Sequence, residues 1–151
     1  MKVRFYCYIP YCSDGTPMEI SRTAVPMDVP DDVIYQYCSY LLSALNSDFP
    51  AHHPKDVDNV LSEIEKLERG EIDITGWGGD PGFEQTITRE GVTFEHGTFG
   101  ECPEWPLWSC SLAQYKAALQ GWRQFIDMPK SIDSELIVEL PDDGSSHFPQ
   151  S

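Results

Sequence analysis

Basic residues are scarce in this chain. Lys and Arg together number 10 against 25 Asp and Glu, for a formal charge of -15 at pH 7. A surface of that sign repels phosphate backbones and anionic headgroups, which excludes direct binding to nucleic acid or to an anionic membrane. The excess also goes beyond the magnitude of about 2 to 8 that keeps a small domain soluble. Its self-repulsion costs stability, so it implies a cationic partner. Long apolar runs are lacking too: none approaches the roughly 18 residues that cross a bilayer. The opening MKVRFYCYIPYC has charges inside its apolar run and no small-residue cleavage site, so no secretory leader is expected. Five cysteines, an odd number, suit reduced thiols better than a disulfide framework. These absences together predict a cytoplasmic protein. Catalytic signatures are missing as well, with neither a G-x-S-x-G elbow nor an H-E-x-x-H helix present.

What is present is enough to build one packed domain. A chain of 151 residues, 40% apolar and 12% aromatic, resembles a globule rather than a disordered acidic segment, which would be poor in aromatics. No linker or internal repeat divides it. Lys2 to Ile9 alternates around Val3, Phe5, Cys7 and Ile9 and predicts a first strand; Met18 to Val25 predicts its return. Pro30, Asp31 and Asp32 mark a helix start. Ile34, Tyr37, Cys38, Leu41 and Leu45 then form one apolar stripe, with a loop expected over 46–54. A second helix is expected over 55–69, carrying Val57, Val60, Leu61, Ile64 and Leu67 on one face and ended by Gly70.

The segment from Gly70 to Cys110 holds eight of the eleven glycines, three of the four tryptophans and eight acids against one base, Arg89. Ile72 and Ile74 alternate with polar neighbours, and Gly76 to Gly82 then predicts a turn presenting Trp77 and Asp80. Phe83 to His96 reads as a hairpin around Glu90-Gly91. Phe99 to Pro106 reads as an acidic loop, and 107–110 as a short strand. Ser111 and Gln114 fit a capping box before a helix with Leu112, Tyr115, Leu119, Trp122 and Ile126 inward. Pro129 stops that helix. Glu135 to Leu140 predicts an edge strand, and 141–151 a frayed polar tail. The fold class expected is α+β, an antiparallel sheet of about five or six strands with three main helices packed on it.

Several groupings bear on chemistry. Cys7, Cys12, Cys102 and Cys110 could supply four zinc ligands, but their spacings lack two-residue knuckles, and core cysteines are the favoured reading. His52 and His53 are adjacent loop residues, poorly placed to share an ion. The glycine-rich run at 76–82 lacks the lysine and hydroxyl of a phosphate loop. Glu84, Glu95 and His96 could serve as acid and base only if folding brings them together. No cofactor or metal is implied. Charge is distributed more tellingly: 24–54, 90–115 and the chain after Lys130 contain acids and no base. Trp105 and Trp108 beside Glu101 and Glu104 have the composition of an interface anchor within a charged rim, with a place in the core as the equal alternative for both rings.

Trp77-Gly78-Gly79-Asp80, the hairpin after it, and the capped helix carrying Ser111, Tyr115, Leu119, Trp122 and Phe125 resemble bacterial immunity proteins of the contact-dependent inhibition and polymorphic toxin type. The resemblance covers about 70–129. It implies a one-to-one complex with a cognate toxin domain, often a basic nuclease, in the cytosol. The function expected is a non-catalytic protein inhibitor whose contact residues are Asp80, Glu84, Glu95, Glu101, Glu104, Trp105 and Trp108. Two alternatives stay open: a small enzyme using carboxylates and a histidine, and an acidic mimic of nucleic acid that blocks a DNA-binding protein.

Overall fold

The computed structural model describes residues 1–141. It is an α+β fold with two antiparallel sheets rather than the single sheet expected. The first sheet has the order β2-β1-β7, from β1 (Lys2–Tyr8), β2 (Ser21–Met27) and β7 (Glu135–Glu139). The second has the order β3-β4-β5-β6, from β3 (Ile74–Gly78), β4 (Phe83–Thr88), β5 (Gly91–His96) and β6 (Trp108–Cys110). Helices α1 (Asp31–Tyr37) and α2 (Ser43–Asp48) are joined by a π-helical turn, Cys38–Leu42; α3 spans Pro54–Glu68 and α4 Leu112–Ile126.

Two sheets form because α4 packs against both of them. Its Trp122 and Phe125 rings meet Phe5 of β1 at 6.2 and 5.7 Å, while its Tyr115 meets Phe94 of β5 at 6.0 Å. A Cβ on Gly121 would lie 2.8 Å from Val138 Cγ2 and 3.0 Å from Phe5 Cε2, so only glycine lets the helix come this near the first sheet. One apolar cluster therefore runs from Val3 and Phe5 through the helices to Ile87, Val92 and Phe94.

The expected helix from Asp31 is continuous to Asp48, because residues 37–43 keep helical backbone angles throughout. The π-helical turn admits one extra residue per turn. Tyr37, Tyr40, Leu41, Leu42, Ala44 and Leu45 are consequently all buried, a wider face than the stripe predicted. β2 begins three residues later than expected, since Met18 is held in the preceding loop by the hydrogen bond its backbone N–H donates to Pro10 O at 2.8 Å.

β3 also departs from expectation. Gly76 does not break it: Trp77 pairs with Gln85 and Gly78 with Glu84. Trp77 is an inward strand residue rather than a turn tip, its indole Nε1 donating to Asp48 O at 2.8 Å and its ring stacked on Phe49 at 5.6 Å. At the start of α4, Ser111 Oγ accepts from Gln114 N at 3.1 Å, as a cap should. The reciprocal half of the capping box is not made, because the buried Gln114 side chain is used elsewhere: it accepts from Tyr37 OH at 3.0 Å and donates to Pro141 O at 2.9 Å. Pro141 is thereby held in place, and the rest of the expected tail lies outside the described residues.

Candidate functional site

The seven sequence-predicted contact residues fall into two groups. Asp80, Glu84 and Glu95 belong to the second sheet. Glu84 and Glu95 are direct cross-strand partners, on the face that also carries Thr86, Thr93 and Ser109 through the pairs Thr86–Thr93 and Thr93–Ser109. Asp80, in the turn between β3 and β4, accepts from Thr98 Oγ1 at 2.5 Å and so ties that turn to the loop after β5.

Glu101, Glu104, Trp105 and Trp108 come together elsewhere, around a groove of about 450 Å³. One wall is the segment 101–108; the other is formed by Tyr35 and Gln36 of α1 with Ser39 and Tyr40 of the π-helical turn. Reciprocal backbone bonds between Cys102 and Trp105, at 3.0 and 3.2 Å, close a tight turn that places Glu104. Tyr40 OH donates to Pro106 O at 2.5 Å and fixes the two walls together. Burial pushes the Tyr40 phenol above its ordinary pKa, with smaller contributions from Tyr35 and Cys102. Trp105 is partly buried, its ring 4.6 Å from His96, 5.7 Å from Tyr40 and 5.8 Å from Phe83. Glu101 and Glu104 are exposed at the rim.

Trp108 takes the core alternative rather than the contact role assigned to it. Only 3% exposed, it packs between Tyr37, Tyr40 and Phe94. In β6 it faces inward with Cys110, while Ser109 faces out, which follows from the two-residue period of a strand. Among the described residues its buried indole Nε1 has no hydrogen-bond partner, and neither has Gln36 Oε1 across the groove. Buried indole groups are otherwise bonded: Trp122 Nε1 donates to Phe49 O at 2.9 Å, and Trp77 has been described.

Sequence reasoning missed the helical wall of this groove. Tyr35 and Tyr40 lie in the base-free run 24–54, a signal that pointed at the region but not at its faces. It also missed Asp48, whose Oδ2 accepts from the Phe83 amide at 3.0 Å, from Gln85 Nε2 at 3.0 Å and from Ser47 Oγ at 3.4 Å. Gln85 in turn accepts from Tyr115 OH at 2.6 Å. Burial raises the Asp48 carboxyl above its usual pKa, against the opposing pull of those three donors. A Cβ at Gly82 would stand 1.8 Å from Asp48 Oδ1, so the residue at 82 must be glycine for the carboxylate to sit here.

The other groupings are not assembled. Glu95 and His96 are neighbours in β5 and so point to opposite faces. His96 is instead held by its Nδ1, which accepts from the Thr98 and Phe99 amides at 3.2 and 3.1 Å. Cys7 and Cys110 lie in different sheets, and Cys12 is exposed in the β1–β2 loop. Among the described residues, no three His, Cys, Asp or Glu side chains are placed to share a metal ion. No helix among them is long and apolar enough to cross a membrane.

Charge compensation is uneven. Lys116 bonds Glu68 at 2.9 Å, Arg123 bonds Asp58 at 3.0 Å, and Lys130 bonds Glu19 at 3.0 Å. Among the described residues no base pairs with Glu84, Glu95, Glu101 or Glu104. Compared with known proteins, the chain matches no family, no curated protein and no solved structure.

Proposed function

We propose that this chain is a non-catalytic protein inhibitor, an immunity protein that binds one-to-one in the cytoplasm to a basic toxin domain and neutralises it. The observation that carries the reading is the groove rim, where Glu101 and Glu104, with no basic partner among the described residues, stand beside the partly buried Trp105. A toxin that cuts nucleic acid needs lysines and arginines to hold phosphates. Carboxylates offered to those residues compete with the substrate and steer the encounter, while a buried aromatic supplies affinity.

The test begins with the reading frame upstream of this chain: the reading expects it to encode a large secreted protein, whose C-terminal domain is then produced with and without this chain. Cells producing that domain should survive only when this chain is co-produced, and the purified pair should elute as a 1:1 complex. The Glu101→Lys, Glu104→Lys double variant should weaken the complex by more than about tenfold with its circular dichroism unchanged. Cell death despite abundant folded chain would overturn the inhibitor reading, and unaltered affinity of the double variant would move the interface off this rim.

A further inference from the structure

We infer that the open edge of β3 is a strand-addition site, taking an extended, lysine- or arginine-bearing segment of the partner through its main chain and setting one of those side chains against Glu84 and Glu95. This rests on the inhibitor reading and adds the form in which the partner's chain is held.

The ladder fixes which groups of β3 are open. Thr88 and Gly91 close the two-residue turn at Arg89 and Glu90, so they form a bonded pair. Bonded and non-bonded pairs alternate along an antiparallel ladder, and a residue bonded to the strand on one side is not bonded to the strand on the other. Glu84, Thr86 and Thr88 therefore bond β5, while Gln85 and Ile87 bond Trp77 and Thr75 of β3. What remains of β3 points away from the sheet: the carbonyl of Ile74, the amide and carbonyl of Gly76, and the amide of Gly78. All three residues are exposed, and among the described residues no main-chain bond from outside the sheet reaches them. The other sheet edges carry the usual guards against strand addition: β2 has Pro26, β7 has Glu135 and Glu139, and β6 is three residues long. β3 has neither proline nor charge. Charge selects the occupant. A groove of about 840 Å³ follows β3 from Ile74 to Gly78 and is lined by Asp48, Asp80 and Glu84, with no base. A partner residue opposite Gly78 crosses a position without a side chain to meet Glu84, the cross-strand partner of Gly78, and Glu95 beyond it. Two strand spacings, about 10 Å, separate that residue's main chain from β4, a span that a lysine or arginine and a glutamate close together. Such a base also relieves the repulsion between the two carboxylates. A second copy of this chain would bring its own charge of -15 to the same acidic groove, which disfavours it as the occupant.

The test titrates the ¹⁵N-labelled full chain with the pentapeptide acetyl-Lys-Val-Lys-Val-Lys-amide and follows backbone amide resonances and their hydrogen exchange. Two peptides are the controls: one with glutamate in place of every lysine, and one N-methylated at its lysines, which keeps the charge and loses the main-chain donors. At saturation the lysine peptide should shift the Gly76 and Gly78 amides and slow their exchange at least about tenfold. Thr75 and Trp77, already bonded to β4, should change little. Protection by either control peptide, or Gly76 and Gly78 amides that stay open, overturns the inference. Gly76→Pro removes the outward N–H without touching a β3–β4 bond. Gly76→Ala keeps that N–H and adds the same Cβ, 3.1 Å from Gln85 O. The proline variant should bind the lysine peptide about fivefold more weakly than the alanine variant, the worth of one net hydrogen bond; equal binding counts against the site. Gly76 protection that grows with protein concentration in the peptide-free chain would assign the edge to a second copy and overturn the proposal. If both variants rescue cells from the upstream domain equally well, the inhibitor reading stands and this inference falls. Should the peptide protect the edge while the upstream domain goes unopposed, the inhibitor reading falls and the strand-addition site survives.

Discussion

Asp48 holds the β3–β4 hairpin against α2 through a carboxylate that three donors share. Its chemistry is opposed to its surroundings, because burial favours the protonated form more than the donors favour the ionised one. The folded-state pKa therefore lies above the unfolded one. Stability contributed by the protonated carboxyl is full below the unfolded value and is lost as pH rises through the folded value. The wild-type chain should thus lose stability relative to Asp48→Asn as pH rises from the ordinary aspartate value through the raised one, as read from urea midpoints over a pH series. Parallel profiles for the two proteins would contradict the assignment. Asp48→Ala has a different cost: it leaves the Phe83 amide and Gln85 Nε2 without this acceptor, about 2 to 3 kcal/mol by the usual penalty for orphaned groups.

Among the elements, the second sheet carries an avoidable repulsion. Glu84 and Glu95 sit directly opposite one another and, among the described residues, no base pairs with either, an arrangement that destabilises a strand pair. Glu84→Thr should raise the unfolding free energy by about 0.5 kcal/mol, measured by chemical denaturation. A loss of stability would mean that the two carboxylates are compensated in solution. The helices and hairpin were legible in sequence because their signals are local. Ser111 caps α4, apolar spacing marks α3 and α4, and alternation marks Phe83 to His96. The π-helical turn was not legible, since one extra residue in a helix leaves no signature in a three-and-four pattern, yet it supplies Ser39 and Tyr40 to the groove. Trp105 and Trp108 look alike in sequence. Only the pairing of β6 with β5 determines that Trp108 enters the core while Trp105 stays at its edge. The two groove walls are joined by a bond from Tyr40 to Pro106, and nothing in the local pattern of either residue announces a contact 66 positions away.

For the whole molecule, the charge of -15 should affect binding and folding in opposite senses. Screening by salt weakens attraction to a cationic partner and also relieves the chain's own repulsion. Raising salt from low to physiological levels should slow association with the toxin domain by about tenfold or more, measured by stopped flow, while raising the melting temperature of the free chain. A salt-independent association rate would mean that the acidic surface plays no part in recognition. A last property follows from the first sheet. Its central strand, β1, is bordered on one side by β7, and Leu140 N reaches back to Met1 O at 2.7 Å while the Met1 amine reaches Leu140 O across 139 positions. During synthesis β1 leaves the ribosome more than a hundred residues before β7, its partner on that side. The close packing of Val138 over Gly121 waits on that late arrival, because β7 is what carries Val138 there. A nascent chain stalled before Glu135 should therefore remain protease-sensitive at β1, and its protection should appear only when β7 has cleared the exit tunnel.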